Sequence, residues 1–271
     1  MQPAPGLQIN YLISMANVNK ISVILATYNA GKYLEEALQS ILRQNYPGLE
    51  LIVMDGKSED DTLDIIKKYQ ESIFFWKSEP DKGIYDAWNK GIAVATGDWV
   101  MFLGSDDKLL PDSLICYSDF INTVPQDVEF ISSKMMYTDK YMNPYRTMGW
   151  KWEWPRFQLE MTVAHTGSLH SKRLFRKYGL YDTDYRIVGD FELLLRPGKE
   201  LRTAFLDKTT VMYREGGASD SYAAILEARK ASRTTGKAPN YKSLLYTSLV
   251  CIKYTVRKIL HRAKINVFIR K

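Results

Sequence analysis

Two adjacent carboxylates, Asp106 and Asp107, follow the apolar run Trp99-Val100-Met101-Phe102-Leu103 with only Gly104 and Ser105 between. Two like charges side by side repel, and a cation placed between them relieves that cost. Hard divalent ions such as Mg²⁺ or Mn²⁺ choose carboxylate oxygens and share them with substrate phosphates. The other reading of Ser105-Asp106-Asp107 is a cap on the following helix. The stretches before the pair weigh toward the first reading.

The apolar run itself suits an interior strand of a mostly parallel sheet, where ligands gather at the carboxyl ends of the strands. Ile21–Ala26 reads as the first strand, broken by Thr27-Tyr28-Asn29, with Asn29 placed as a helix N-cap. Leu34, Ala37, Leu38, Ile41 and Leu42 then recur at helical spacing. Leu51–Met54 is a second strand and ends at Asp55-Gly56. Ser58 and Asp61 resemble a capping box for the next helix, and residues 73–76 read as a third strand. After the loop 78–83, Ile84, Ala87, Trp88, Gly91, Ile92 and Ala95 form one helical stripe that leads into the acidic strand. Strands alternating with helices over short connections predict an α/β fold with right-handed crossovers. Three strand ends would then present Thr27-Tyr28-Asn29, Asp55 and Asp106-Asp107, a rim suited to one nucleotide and a metal.

The remaining bounds are broad. A chain of 271 residues with 45% hydrophobic and 25% charged residues is long enough to bury a full core. A net charge of +6 favours an acidic partner such as a nucleotide or an anionic membrane surface. Cys116 and Cys251 are far apart and read as reduced thiols. No apolar stretch reaches about 20 residues, so no membrane span is predicted. The opening residues lack a signal-peptide pattern, and Met15, just ahead of the first strand, reads as a possible start. Neither G-x-G-x-x-G after the first strand nor G-x-x-x-x-G-K-[ST] anywhere occurs, which turns the reading away from dinucleotide oxidoreductases and P-loop enzymes.

Taken together, several segments resemble the inverting glycosyltransferases of family 2, whose fold is called GT-A. They are Ala26-Thr27-Tyr28-Asn29, Val53–Ser58, Glu79–Ile92, Ala95–Asp98 and Phe102–Asp107. The Glu79–Asp86 segment is most similar to bacterial enzymes that build O-antigen and other surface polysaccharides. The resemblance implies a GT-A type, Rossmann-like, mostly parallel sheet and a UDP-sugar donor. It places Thr27 and Tyr28 at the base, Asp55 on the uracil N3–H and Asp106 on the ribose, with Asn29, Lys82, Gly83 and Ser105 along the rest of the donor. Asp107 would hold Mn²⁺ or Mg²⁺. The family's usual aspartate–any–aspartate motif begins here with Ser105, a variant that bears on the number of metal contacts.

Beyond residue 115 the resemblance implies an acceptor-binding half. It matches Asp190, within Tyr185–Arg196, to the catalytic base, with a helix cap as the alternative role. His165 matches a position near the donor phosphates, and Trp152, in the cluster Trp150–Pro155, has a face suited to a sugar ring or to the core. Phe130-Ile131 begins a further strand, and Gly216–Ser219 reads as a flexible loop. From Tyr241 onward there is no Asp or Glu, while Leu245, Leu249, Ile252, Val256, Ile259 and Ala263 share one helical face with Lys253, Arg257, Arg262 and Lys264 around it. A basic amphipathic helix reads either as a membrane-surface element or as a helix packed on the domain with its basic side solvated.

The expected organisation is a loose extension over 1–19, a catalytic domain over 20–220 and a basic helical tail over 221–271. The donor-binding half of the domain is 20–115 and the acceptor-binding half 116–220. The expected reaction is metal-dependent, inverting transfer from a UDP-sugar to an acceptor hydroxyl. The acceptor would be a lipid-linked saccharide at the cytoplasmic face of the membrane; no nucleic-acid partner is expected. Two rivals are a nucleotidyltransferase acting on sugar phosphates and a non-enzymatic basic membrane-binding module.

Overall fold

The computed structural model describes residues 18–262. Met15, most of the expected N-terminal extension, Ala263 and Lys264 lie outside the described residues.

Seven residues of alternating inward contact, β1 (Ile21–Thr27), form the centre of the fold. Val23 and Leu25 face one core, while Ile24 faces another. A strand buried on both faces needs apolar residues throughout, which is why the alternating polar pattern of an exposed sheet is missing. β2 (Leu49–Asp55) and β4 (Trp99–Gly104) flank β1 in parallel, and β3 (Phe75–Ser78) lies parallel beyond β2. The register aligns Thr27 with Asp55, and Asp55 with Ser78. Three strand ends therefore converge at one edge.

The second half extends this sheet in mixed orientation. β8 (Leu169–Ser171) runs antiparallel to β4 and to β6 (Phe130–Thr138). β6 pairs in parallel with β9 (Thr203–Arg214), and β9 in antiparallel with β5 (Lys108–Leu109). β7 (Pro144–Met148) adds a hairpin to β6. The order is β3-β2-β1-β4-β8-β6-β9-β5, so the expected parallel sheet holds for the first four strands and becomes mixed after them.

Helices cover both faces. α1 (Gly31–Leu42) buries Leu34, Ala37, Leu38 and Ile41, and α2 (Thr62–Tyr69) lies beside it. On the other face α3 (Ile84–Val94) approaches β1 so closely that a Cβ on Gly91 would lie 2.6 Å from Ile24 Cγ2. α4 (Ser113–Ile121), α5 (Trp154–Phe157), α6 (Lys172–Tyr178) and α7 (Gly189–Leu195) follow. Two helices close the described chain, α8 (Tyr222–Thr234) and α9 (Asn240–Arg262).

Several local expectations are corrected. Asn29 does not cap α1: Ala30 holds that position, and Asn29, at φ 47°, accepts the Glu59 N–H instead. Ser58 and Asp61 form no capping box, because the Ser58 hydroxyl is committed to Asp55. The third strand begins at Phe75 rather than Ile73, since a 3₁₀ turn over Gln70–Ser72 delays it. On α3, Tyr85 is buried and Ile84 is exposed, one step off the expected stripe. Asp106 and Asp107 cap no helix, because β5 follows them and Asp112 precedes α4.

α9 packs on the domain as one of the two readings expected, but through a polar side, with Arg257 and Lys258 paired to Asp220 rather than solvated. Its buried side carries Ser243 and Thr247, and Tyr246 and Tyr254 hydrogen-bond to Glu160 and to the Asp220 carbonyl. Leu245, Leu249, Ile252, Val256 and Ile259 are all exposed. The apolar face points outward. Among the described residues no helix is long and apolar enough to cross a membrane.

Candidate active site

At the shared edge of β1, β2 and β3, Asp55 is 2% exposed and accepts four hydrogen bonds. Thr27 and Ser58 donate their hydroxyls to Oδ1 at 3.0 and 2.5 Å, and the Ser78 hydroxyl and Ser58 N–H reach Oδ2 at 2.5 and 2.9 Å. Burial pushes this carboxyl up, but the hydrogen bonds outweigh it and hold the group below the usual range. Tyr28 stands exposed at the rim, and the Asp81 carboxylate lies over Gly56, where a Cβ would come within 2.6 Å of its Oδ2.

The acidic pair lies at the end of β4. Asp107 is also 2% exposed, and it accepts from the Thr166 hydroxyl at 2.8 Å and the Arg214 N–H at 3.1 Å. Burial and then the neighbouring Asp106 push its carboxyl up to about 7, and burial raises Asp106 too. The Arg214 side chain is itself buried. Its Nε donates to the Asp106 carbonyl at 3.2 Å, and its guanidinium lies 3.9 Å above the Tyr33 ring. An acidic pair forced toward protonation fits a hard divalent cation, which would restore both charges. Among the described residues no three His, Cys, Asp or Glu side chains converge. The ion's other ligands would be phosphate oxygens and water, as is usual for Mg²⁺ and Mn²⁺.

Asp190 is the second residue of α7, past the cap position, so it is not the helix N-cap. Gly189 fits it against α3, since a Cβ there would meet the Tyr85 ring at 2.9 Å. The Tyr85 hydroxyl shares its proton between the Ile187 carbonyl at 2.8 Å and Asp190 Oδ1 at 3.2 Å. Burial raises the Asp190 carboxyl to about 6, against the lowering bonds from the Phe191 N–H and Tyr85. The loop before it is clamped by Glu227 on α8, which accepts the N–H groups of Arg186, Ile187 and Val188 at 2.8, 2.7 and 2.8 Å.

The segment ahead of β8 joins the two acidic centres. Thr166 reaches Asp107, while His165 Nδ1 lies 3.9 Å from Asp190 Oδ2. His165 is buried against Trp88 and Phe102, its Nε2 is 3.0 Å from the Tyr181 hydroxyl, and burial lowers it to about 3. It is a neutral ring rather than a cationic phosphate clamp.

The profile of glycosyl transferase family 2 matches residues 22–164, more than half of the 271. The chain belongs to glycosyltransferase family 2. A Mycobacterium bovis PGL/p-HBAD biosynthesis glycosyltransferase is 31% identical over 211 residues, covering 74% of this chain and 79% of that one. An uncharacterized glycosyltransferase of Mycobacterium tuberculosis is 33% identical over 193 residues, covering 67% and 70%. Among solved structures, S. aureus TarS 1-349 in complex with UDP-GlcNAc superposes with a TM-score of 0.63 at 20% identity, covering 84% of this chain and 70% of that one. A Pyrobaculum calidifontis mannosyltransferase in complex with GDP-Man and Mn²⁺ gives 0.59 at 16% identity, covering 89% and 76%. The fold is that of these GT-A enzymes, and membership of the family sets aside the non-enzymatic reading.

The family match spans Thr27, Tyr28, Asn29, Asp55, Lys82, Gly83, Ser105, Asp106, Asp107 and Trp152 and stops one residue short of His165. Lys82 and Gly83 open α3, where the Arg186 guanidinium donates to the Lys82 carbonyl. Trp152 lies against Phe157, ring centroids 4.0 Å apart, and so serves the core on at least one face. Sequence alone assigns no site role to Ser78, Tyr85, Thr166, Arg214 or Glu227, and it reads Ser58 as a cap rather than as a partner of Asp55. Of these, Tyr85 lies inside a recognised motif and Ser58 ends another, but Arg214 and Glu227 are brought in by tertiary structure alone.

Proposed function

We propose that this glycosyltransferase transfers a sugar from a UDP-sugar to a hydroxyl of a lipid-linked saccharide, with inversion at the anomeric carbon, in surface-polysaccharide assembly of the O-antigen type. The observation that carries the reading is the juxtaposition through consecutive residues: Thr166 bonded to Asp107, and His165 beside Asp190. A donor with its diphosphate at the acidic pair would direct its sugar toward Asp190.

In this reading Thr27 and Tyr28 frame the base. Asp55 takes the uracil N3–H after one of its hydroxyl donors turns away, Asp106 meets the ribose, and Asn29, Lys82, Gly83 and Ser105 line the remaining donor path. Asp107, with Asp106, would hold Mn²⁺ or Mg²⁺, which supplies charge neutralisation for the departing diphosphate. Asp190, ionised above a pKa of about 6, accepts the acceptor proton as the hydroxyl attacks. A single displacement needs no covalent enzyme intermediate. Trp152 and His165 border the acceptor side. The exposed apolar face and flanking cations of α9 support peripheral docking on an anionic, cytoplasmic membrane face.

Calorimetry with UDP, with and without Mn²⁺, tests the donor site on the wild type and Asp107→Ala. Mn²⁺-dependent UDP binding lost in the variant is expected; binding of GDP or dTDP in place of UDP would overturn the uracil assignment. Co-sedimentation with anionic vesicles tests the docking. Leu249→Glu/Ile252→Glu is expected to abolish it, and undiminished binding would overturn it.

A further inference from the structure

α8 does more than clamp the loop before Asp190. Past Glu227, Arg229, Lys230 and Arg233 line an open groove of about 380 Å³ with Leu226 and Thr234. Most arginines near the centre are committed: Arg196 to Glu192, Arg214 to the Asp106 carbonyl, and Arg257 to Asp220. The groove's cations differ. None of the three forms an ion pair or a side-chain hydrogen bond with another described residue, and Arg229 Nε is buried with no hydrogen-bond partner among the described residues. Lys230 lies 4.7 Å over the Tyr185 ring, and Tyr185 is tied to Thr234 by hydroxyls 3.2 Å apart. The groove is thus backed by the residue five positions before Asp190.

Several guanidinium and ammonium donors around one opening suit a phosphate, whose oxygens accept forked bonds from arginine. One rim is apolar: Leu226 is exposed, and one turn earlier exposed Tyr222 packs on Tyr254 of α9. We propose that this groove binds the phosphate or diphosphate ester that joins the acceptor saccharide to its lipid. The proposal rests on the lipid-linked acceptor proposed above and names the part of that acceptor held by α8. The Leu226–Tyr222 rim would meet the first carbons of the lipid, while Glu227, one turn away, holds the loop that presents Asp190 to the saccharide.

The same chemistry is offered by bulk phospholipid headgroups, so the test separates the two sources. The full-length chain is titrated with inorganic pyrophosphate in EDTA, which removes metal-dependent binding at the acidic pair. Wild type is compared with Arg229→Gln/Arg233→Gln, whose glutamines preserve helix propensity. Binding weakened about tenfold or more in the variant is expected, with unchanged far-UV circular dichroism and unchanged Mn²⁺–UDP affinity. Equal pyrophosphate binding by both proteins would overturn the proposal. Neutral vesicles doped with a polyprenyl diphosphate, or separately with phosphatidylglycerol, then identify the source. A loss confined to the polyprenyl diphosphate vesicles supports the acceptor linkage; a loss confined to phosphatidylglycerol overturns it in favour of bulk headgroups. Failure of the wild type to bind UDP would strike the donor reading alone, since the pyrophosphate comparison is made without metal.

Discussion

Asp55 and Asp107 are both 2% exposed at the carboxyl edge of one sheet, yet their surroundings drive them in opposite directions. Asp55 accepts four hydrogen bonds that override burial and keep it charged. Glu50, at the other end of β2, follows the same plan: burial is outweighed by Lys20, Thr96 and Ser22, and its carboxyl falls to about 2. Asp107 is fully buried beside a like-charged neighbour and rises to about 7 despite its donors, and Asp190, largely enclosed, rises to about 6. Surface exposure does not distinguish Glu50, Asp55 and Asp107, but Asp107 and Asp190 sit deeper in the protein. That depth and the supply of donors together separate carboxylates held charged by their neighbours from carboxylates pushed toward the neutral form.

The sharpest test of this division removes charge from a group pushed toward the neutral form. Asp190→Asn is expected to lower transfer by about 10²–10⁴, the usual worth of a positioned base, while Mn²⁺–UDP affinity stays within twofold by calorimetry. It should also raise the melting temperature at pH 8. A folded-state pKa of about 6, above the ordinary 3.8, means the folded protein loses stability as pH rises from about 4 through about 6, and the amide removes that penalty. A variant that keeps near-wild-type turnover would take Asp190 out of the mechanism.

The same substitution at an acid held charged should do the reverse. Asp55→Asn turns an NH₂ toward groups that are themselves donors, leaving at least one buried donor unpaired. A cost of about 2–4 kcal/mol is expected, and with it a fall of about 4–12 °C in melting temperature. Thermal scans of the two variants side by side decide the matter: a stabilised Asp55→Asn would erase the distinction drawn here.

Much of this centre was legible in the chain because its first half is built from local signals. β1 and β2 end at the candidate residues Thr27 and Asp55, and β4 ends just before Asp106-Asp107, so an apolar run followed by an acid marks both the element and the candidate site. The apolar pattern could not separate parallel from antiparallel partners, which is why the mixed pairing of β6, β8 and β9 was missed. Nor could it show the donors around each acid. Thr166 lies 59 positions from Asp107 and Arg214 lies 107. Glu227 meets the Asp190 loop from about 40 residues away, with nothing in its own neighbourhood to mark it. The tail helix was recognised as amphipathic, but which face turns outward depends on what Glu160 and Asp220 offer it.

The loop clamp gives a smaller effect. Glu227→Gln keeps the size but replaces one accepting oxygen by a donor, so one of the three backbone N–H groups loses its partner. Looser placement of Asp190 should lower kcat about tenfold with little change in donor affinity. A fall in Mn²⁺–UDP affinity instead would show that Glu227 supports the fold at large.

The finest adjustment is the single hydroxyl that Tyr85 offers to Asp190. It is among the bonds that hold the carboxyl down against burial, so Tyr85→Phe should let the pKa climb by about half a unit to one unit. In a pH profile of kcat/KM the rising limb reports the base losing its proton, with a midpoint near 6 in the wild type. The variant's limb should shift to higher pH while its plateau stays within a few-fold, so the loss is greatest under mildly acid conditions and nearly vanishes at pH 8. A limb that does not move would mean that the Tyr85 proton belongs to the Ile187 carbonyl alone. A limb that moves to lower pH would contradict the account of Asp190 as an acid pushed up by burial against its donors, because taking one away could then only have favoured its charge.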